Sequence, residues 1–303
     1  MRHLPRFASF DLGTGVFGYI VAERTPEGTF NIIQHDSRFV QLGEGGVHHI
    51  TPEAYNRAYQ ALYEFTRDIR QIGVEGMAAV GTETLRMASN GPDFVNDVRQ
   101  NLGLNIDIIN GHEEARLNYI ATRNHISPMP ANSLIMDIGG GSVEFVIGHH
   151  DDMLWSGSFK TGMMLLRKAY YRHDPLAPAD IADLKAHLAE QFVPLKEALS
   201  KFQPVRTLIG NMGTFETLAR MIIANKGKHT NTFSRTDFEQ VLTYILPTTL
   251  AQRQKMPIIP QERKGHIPVT MLLINEVVEI AHIEQIIASK VGVRHGLLYD
   301  RFG

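Results

Sequence analysis

Residues 10–21, Phe-Asp-Leu-Gly-Thr-Gly-Val-Phe-Gly-Tyr-Ile-Val, align without a gap to residues 136–147, Met-Asp-Ile-Gly-Gly-Gly-Ser-Val-Glu-Phe-Val-Ile, at an offset of 126. Asp11 meets Asp137, Gly13 meets Gly139 and Gly15 meets Gly141. Each copy reads as an apolar strand ending in Asp, a glycine-rich turn and a second apolar strand. A slip of two residues destroys the match, and each copy lies near the start of a comparable half. The pattern implies a duplicated domain, each half opening with the same hairpin. A chain of 303 residues is long enough for two domains at about 100–200 residues each.

Such a turn has a definite chemistry. Glycine lets backbone N–H groups approach an anion closely. An Asp at the strand end suits Mg²⁺, which takes one or two carboxylates together with phosphate oxygens. Two hairpins of this kind facing one cleft would hold a phosphate chain from both sides.

Composition removes whole classes of function. With no cysteine there is no disulfide scaffold, thiolate-bound zinc, iron–sulfur cluster or thiol nucleophile. Thirty Lys and Arg against 32 Asp and Glu do not make a general polyanion coat, so no nucleic-acid partner is expected. No run approaches about 20 apolar residues, and the N-terminus has no apolar leader core. No membrane partner is therefore expected, and the expected location is the cytoplasm.

Periodicity predicts strands near 6–11, 17–23 and 29–41, then a helix over 52–72 with Thr51 as cap and Pro52 in its first turn. A strand around Val80, a helix over 91–102 and a strand over 106–109 follow. The second half predicts strands near 133–137, 143–148 and 152–158 and a helix near 162–173. Helical periodicity covers 180–200, and a strand over 206–209 leads to helices near 213–225, 235–245 and 266–282. A strand near 284–289 and a last helix from about 295 complete the chain. The polar segment 227–236 reads as a mobile loop. The fold class is α/β with a mixed sheet in each half. The expected domains are 1–125 and 126–303, with the last helix returning to the first.

Further candidates follow strands. Arg86, after Gly81-Thr82-Glu83-Thr84-Leu85, suits either a phosphate or an ion pair. Glu113 and Glu114 open a helix about 100° apart, so at most one faces a substrate as a general base. Their other reading is interaction with the helix dipole. Leu208-Ile209-Gly210-Asn211-Met212-Gly213-Thr214 is a third glycine turn, suited to an anion or nucleotide group. Glu144 can join Asp137 at a metal, and Ser142 either donates to phosphate or closes its turn. His48-His49 and His149-His150 form no ligand constellation and read as solvent-facing.

In this order the segments resemble the exopolyphosphatase/guanosine pentaphosphate phosphatase (Ppx/GppA) family. The resemblance rests on Asp11-Leu-Gly13, Thr82–Asn90, Gly111-His-Glu-Glu-Ala-Arg116, Asp137-Ile-Gly-Gly-Gly-Ser-Val-Glu144, Gly213-Thr214 and Val291-Gly-Val-Arg-His-Gly-Leu-Leu-Tyr299. It implies two RNase H-like domains of the actin/Hsp70/sugar-kinase superfamily, with an interdomain cleft, as in the short two-domain members. It implies Glu114 as catalytic base and Asp137 and Glu144 as Mg²⁺ ligands. Asp11, Gly13, Thr14, Gly15, Arg86, Gly139, Gly140, Gly141, Ser142, Gly213 and Thr214 would bind substrate.

The implied activity is release of terminal phosphate from inorganic polyphosphate. Rival readings are a pppGpp 5′-phosphohydrolase and a non-catalytic sensor of a phosphate ligand. The partner is then polyphosphate or a guanosine polyphosphate, and a homodimer is left open. Three departures weaken phosphate contacts. The first loop has Gly15, Val16 and Gly18 where the family carries Asn, a hydroxyl and a basic or polar residue. The third turn carries Met212, and Gly162-Met-Met-Leu-Leu166 lacks the family's arginine.

Overall fold

The computed structural model describes residues 4–227 and 230–303. Contacts divide the chain into two units. One comprises residues up to Asn124 with 139–141 and 291–303, and the other 125–138 with 142–290.

The first unit begins with an antiparallel meander, β1 (Arg6–Leu12), β2 (Val16–Arg24) and β3 (Phe30–Phe39). Helix α1 (Pro52–Ile72) leads to β4 (Gly76–Gly81), which lies parallel to β1. Helices α2 (Glu83–Met87) and α3 (Gly91–Leu102) precede β5 (Ile106–Ile108), parallel to β4, and α4 (Gly111–His125) follows. The sheet order is β3-β2-β1-β4-β5. Alternation along β1 sends Ala8, Phe10 and Leu12 toward α1, where Ala58, Leu62, Phe65 and Ile69 are buried with them. The opposite face carries Ser9 and Asp11. There the last helix, α12 (Val293–Phe302), packs Val293 and Leu297 with Val80 and Leu117, and Leu298 with Ile20 and Ala22.

The second unit repeats the plan. Strands β6 (Ser133–Ile138), β7 (Val143–His149) and β8 (Asp152–Phe159) form its meander. Helices α5 (Met163–Tyr170), α6 (Pro178–Gln191) and α7 (Val193–Lys201) lead to β9 (Thr207–Asn211), parallel to β6. Then come α8 (Met212–Lys226), β10 (Thr232–Ser234), α9 (Arg235–Ile245), α10 (Leu250–Gln254), α11 (Ile267–Ile280) and β11 (Gln285–Ser289). The sheet order is β10-β11-β9-β6-β7-β8. Its core face buries Leu134, Met136, Phe145 and Leu208 against α5–α9 and α11. Both units thus have the RNase H-like arrangement of three antiparallel strands followed by parallel ones.

Three local expectations change. The helix expected over 180–200 is two helices, because α6 ends at Gln191 and Pro194 falls in the first turn of α7, where a missing N–H costs nothing. The helix expected to reach 173 stops at Tyr170. The expected mobile loop over 227–236 contains β10, whose Thr232–Ser234 pair with Gln285–Ile287, and Arg235 opens α9. Residues 228 and 229 lie outside the described residues.

Candidate active site

In the first unit the glycine turn is tied from several sides. Gly13 N donates to Val16 O at 3.0 Å, and Gln41 N and Gly43 N donate to the carbonyls of Gly15 and Thr14. Thr84 Oγ1 donates to Thr14 Oγ1 at 3.0 Å. Gly43 has to be small, since a β-carbon there would come within 2.7 Å of Thr14 Cγ2. Gly139 and Gly140 group with this unit, as does Gly141, which lies against Thr14 and the buried Glu83. Arg86 does not stand open: it bonds the Glu83 carboxylate and the Ile109 carbonyl, tying α2 to the strand before α4.

Helix α4 separates its two glutamates. Asn110 Oδ1 accepts from Glu113 N at 2.9 Å, holding the first turn. Glu113 forms a two-pronged ion pair with Arg116 at 2.8 Å, and Arg116 also reaches Asp300 of α12 at 2.6 Å. The Glu113 hydrogen bonds hold Arg116 above its ordinary pKa. Glu113 keeps 36% of its side-chain exposure, whereas Glu114 keeps 7%. The 100° turn between them therefore commits one carboxylate to the surface and turns the other inward. Gly296 of α12 lies so close to α4 that a β-carbon would overlap the Leu117 carbonyl.

In the second unit strand register lines up polar residues across the sheet. Ser289 pairs with Asn211, Asn211 with Asp137, Asp137 with Glu144, and Glu144 with Ser158. Directly paired residues share a face, with β-carbons about 4.5–5.5 Å apart. Ser158 Oγ donates to Glu144 Oε1 at 2.7 Å, orienting the buried carboxylate. Two carboxylates beside an amide form a hard-oxygen set that fits Mg²⁺ completed by water and phosphate oxygens. Among the described residues no group of three His, Asp or Glu could hold a metal by itself. Ser142 is buried beside the hairpin turn.

The third turn is densely filled. Phe215 lies where a β-carbon on Gly210 would sit, and the Arg263 guanidinium lies where one on Gly213 would sit. Arg263 Nη1 is 3.5 Å from Thr214 Oγ1. Met212 has φ +58°, the left-handed region. Burial lowers the Arg263 pKa. Burial also draws His266 down to about 3, aided by the charges of Arg263 and Arg167. Arg167, one residue beyond the arginine-less Gly162–Leu166 segment, rests its guanidinium on Gly265. The fully buried Arg253 donates to Lys264 O at 2.8 Å, and Lys264 Nζ donates to Gln254 O at 2.9 Å. That clasp holds the segment carrying Arg263.

Sequence reasoning missed Glu83, Asn211, Ser158 and Arg263. Glu83 and Asn211 sit inside motifs already quoted; Ser158 and Arg263 have no local signal, because register and tertiary packing bring them in. His48, His49 and His150 are exposed, and His149 Nδ1 pairs with Asn132 Oδ1 at 2.7 Å.

A model of the Ppx/GppA phosphatase family matches residues 20–303. The chain is 25% identical over its whole length to a guanosine-5′-triphosphate,3′-diphosphate pyrophosphatase of Aeromonas salmonicida, of which it spans 60%. A protein of that name from Aliivibrio fischeri is 26% identical, over 97% of this chain and 59% of its own. Among solved structures, an exopolyphosphatase from Cytophaga hutchinsonii superimposes with TM-score 0.93 and 28% identity, covering 98% of this chain and 97% of its own. The Aquifex aeolicus family member, at 24% identity and TM-score 0.82 over 98% and 97% of the two chains, shares the fold. No described helix is long and apolar enough to cross a membrane.

Proposed function

Because the chain belongs to the Ppx/GppA phosphatase family, we propose that it hydrolyses the terminal phosphoanhydride bond of inorganic polyphosphate, with Glu114 as general base. The observation that carries this reading is the division of labour on α4: Glu113 is committed to Arg116, while Glu114 is turned inward at the helix start. Water attacks the terminal phosphorus while Glu114 takes its proton. The bridging oxygen leaves with the bonding electrons, releasing orthophosphate and a chain one unit shorter. Positioning and neutralisation of charge supply most of the rate. Asp137 and Glu144, with Asn211 beside them, would hold Mg²⁺, which supplies charge neutralisation at the phosphoryl oxygens. Arg263 over Gly213 offers a second cation.

A second reading, removal of the 5′-terminal phosphate of pppGpp, is favoured by the names of the curated relatives. The Arg263 guanidinium beside Gly213 supports polyphosphate instead, since it places a cation at that turn. The test is phosphate release from long-chain polyphosphate and from pppGpp with Mg²⁺, beside Glu114→Gln and Glu113→Gln. Glu114→Gln is expected to lower kcat by about 10²–10⁴, the usual weight of a general base, and Glu113→Gln to stay within a few fold. Turnover of pppGpp alone would transfer the assignment. Binding without turnover of either would make the protein a phosphate sensor.

A further inference from the structure

The duplication that repeats Asp11 as Asp137 also places Gly18 opposite Glu144, at the same offset of 126. The structure extends this match across both sheets. In the second unit Asp137 pairs with Glu144, and Glu144 with Ser158. In the first, Asp11 pairs with Gly18, and Gly18 with Ser37. The two rows are Asp-Glu-Ser and Asp-Gly-Ser.

The space left by the missing carboxylate is not empty. A β-carbon on Gly18 would overlap Arg294 Nη1 and come within 2.9 Å of Ser37 Oγ. Arg294 Nη1 donates to Ser37 Oγ at 3.0 Å, just as Ser158 Oγ donates to Glu144. The backbone of Arg294 is fixed in turn, since Ser9 Oγ donates to its carbonyl at 2.6 Å. Because Ser9, Asp11 and residue 18 share one face of the sheet, the guanidinium lies on the Asp11 side, one residue pair before the glycine turn.

We propose that Arg294, delivered by the C-terminal helix α12, is a substrate-binding cation of the first glycine turn, contacting a phosphate oxygen of the substrate. It stands where a side chain from residue 18 would otherwise project, so an arginine at residue 18 would occupy the same space once Arg294 is removed. The second row keeps two carboxylates and suits a metal ion; the first has exchanged one carboxylate for a built-in cation. A planar guanidinium suits this role, because its fork of donors matches the oxygens of a phosphate. The assignment of the ligand class rests on the phosphoanhydride reading.

The test separates the two. Binding of tripolyphosphate is measured by calorimetry on the Glu114→Gln protein, with Arg294→Ala, Arg294→Lys and the exchange Gly18→Arg/Arg294→Ala, and thermal melting checks folding. Arg294→Ala is expected to weaken binding at least tenfold, Arg294→Lys to recover part, and the exchange to recover most of it. On the Glu114-intact protein the loss should appear in KM, with kcat within a few fold. Folded Arg294→Ala protein with unchanged affinity would overturn the proposal. So would an exchange variant that melts normally yet binds no better than Arg294→Ala. If Arg294→Ala does not fold, the Lys variant and the exchange decide by the same criteria. Arg294-dependent binding with no turnover of any phosphoanhydride would sink the hydrolase reading and leave Arg294 in place.

Discussion

The two hairpins align residue for residue at an offset of 126 yet differ in charge: one row holds two carboxylates, the other a carboxylate and a guanidinium. Around Asp137 the sheet gathers Asn211, Glu144 and Ser158, an oxygen-rich row with two carboxylates. Around Asp11 the same positions hold Val80, Gly18 and Ser37, with the Arg294 guanidinium over the glycine. The difference teaches how one backbone pattern can carry two kinds of side-chain row. The serine on the outer strand is kept in both rows and turns either a carboxylate or a guanidinium. What changes is the side chain it meets: the Glu144 carboxylate of the neighbouring strand in one row, the Arg294 guanidinium brought by α12 in the other.

If that contrast is right, the largest effect comes from removing charge in the metal-type row. Glu144→Gln is expected to raise the Mg²⁺ concentration for half-maximal phosphate release by well over tenfold. Ser158→Ala should raise it less, by about tenfold, as for partners that orient a metal ligand. Mg²⁺ titrations of activity check both. The same titration on Ser37→Ala should leave the midpoint unchanged, because Ser37 orients an arginine. A shifted midpoint in Ser37→Ala would break the division of roles.

Much of this contrast was legible before any coordinates. The offset of 126 exposed the duplication, and the glycine turns followed from it. The spacing of Glu113 and Glu114 allowed one inward carboxylate but did not choose between them. That choice depends on Arg116 and Asp300, the latter 184 positions away. Arg294 was hidden for the same reason, lying 257 residues from Ser37. Its sequence signal was Gly18 itself, where a β-carbon would overlap Arg294 Nη1. At Arg86 the local motif allowed a phosphate ligand or an ion pair, and Glu83, three residues back, forms an ion pair whose presence does not bear on the phosphate reading.

A smaller effect comes from the cations of the second unit. Arg263 and Arg167 face the buried imidazole of His266, which stays neutral in the folded protein down to about pH 3. Unfolded, the same histidine titrates near its ordinary value of about 6.5. Below that the unfolded chain binds a proton that the folded chain refuses, so stability falls as pH drops from 6.5 toward 3. Between pH 7 and pH 5 the loss attributable to His266 is about 2 kcal/mol. His266→Gln should remove that component, and urea melts at the two pH values measure it.

The smallest effect tests the third turn against the other two. The first two turns have glycine at the positions matched by the duplication, but the third carries Met212 at φ +58°. A left-handed backbone costs a non-glycine residue about 1–2 kcal/mol, whereas glycine loses about 0.5–1 kcal/mol more chain entropy on folding. The difference leaves Met212→Gly more stable by about 0.5 kcal/mol, a rise in melting temperature of about 1 °C at this chain length. Such a rise, with phosphate release unchanged, would mean that the methionine departure burdens the backbone and not the substrate. A fall would mean that the packing of the Met212 side chain outweighs its backbone strain. The third turn would then be held by side-chain burial, unlike the two glycine turns.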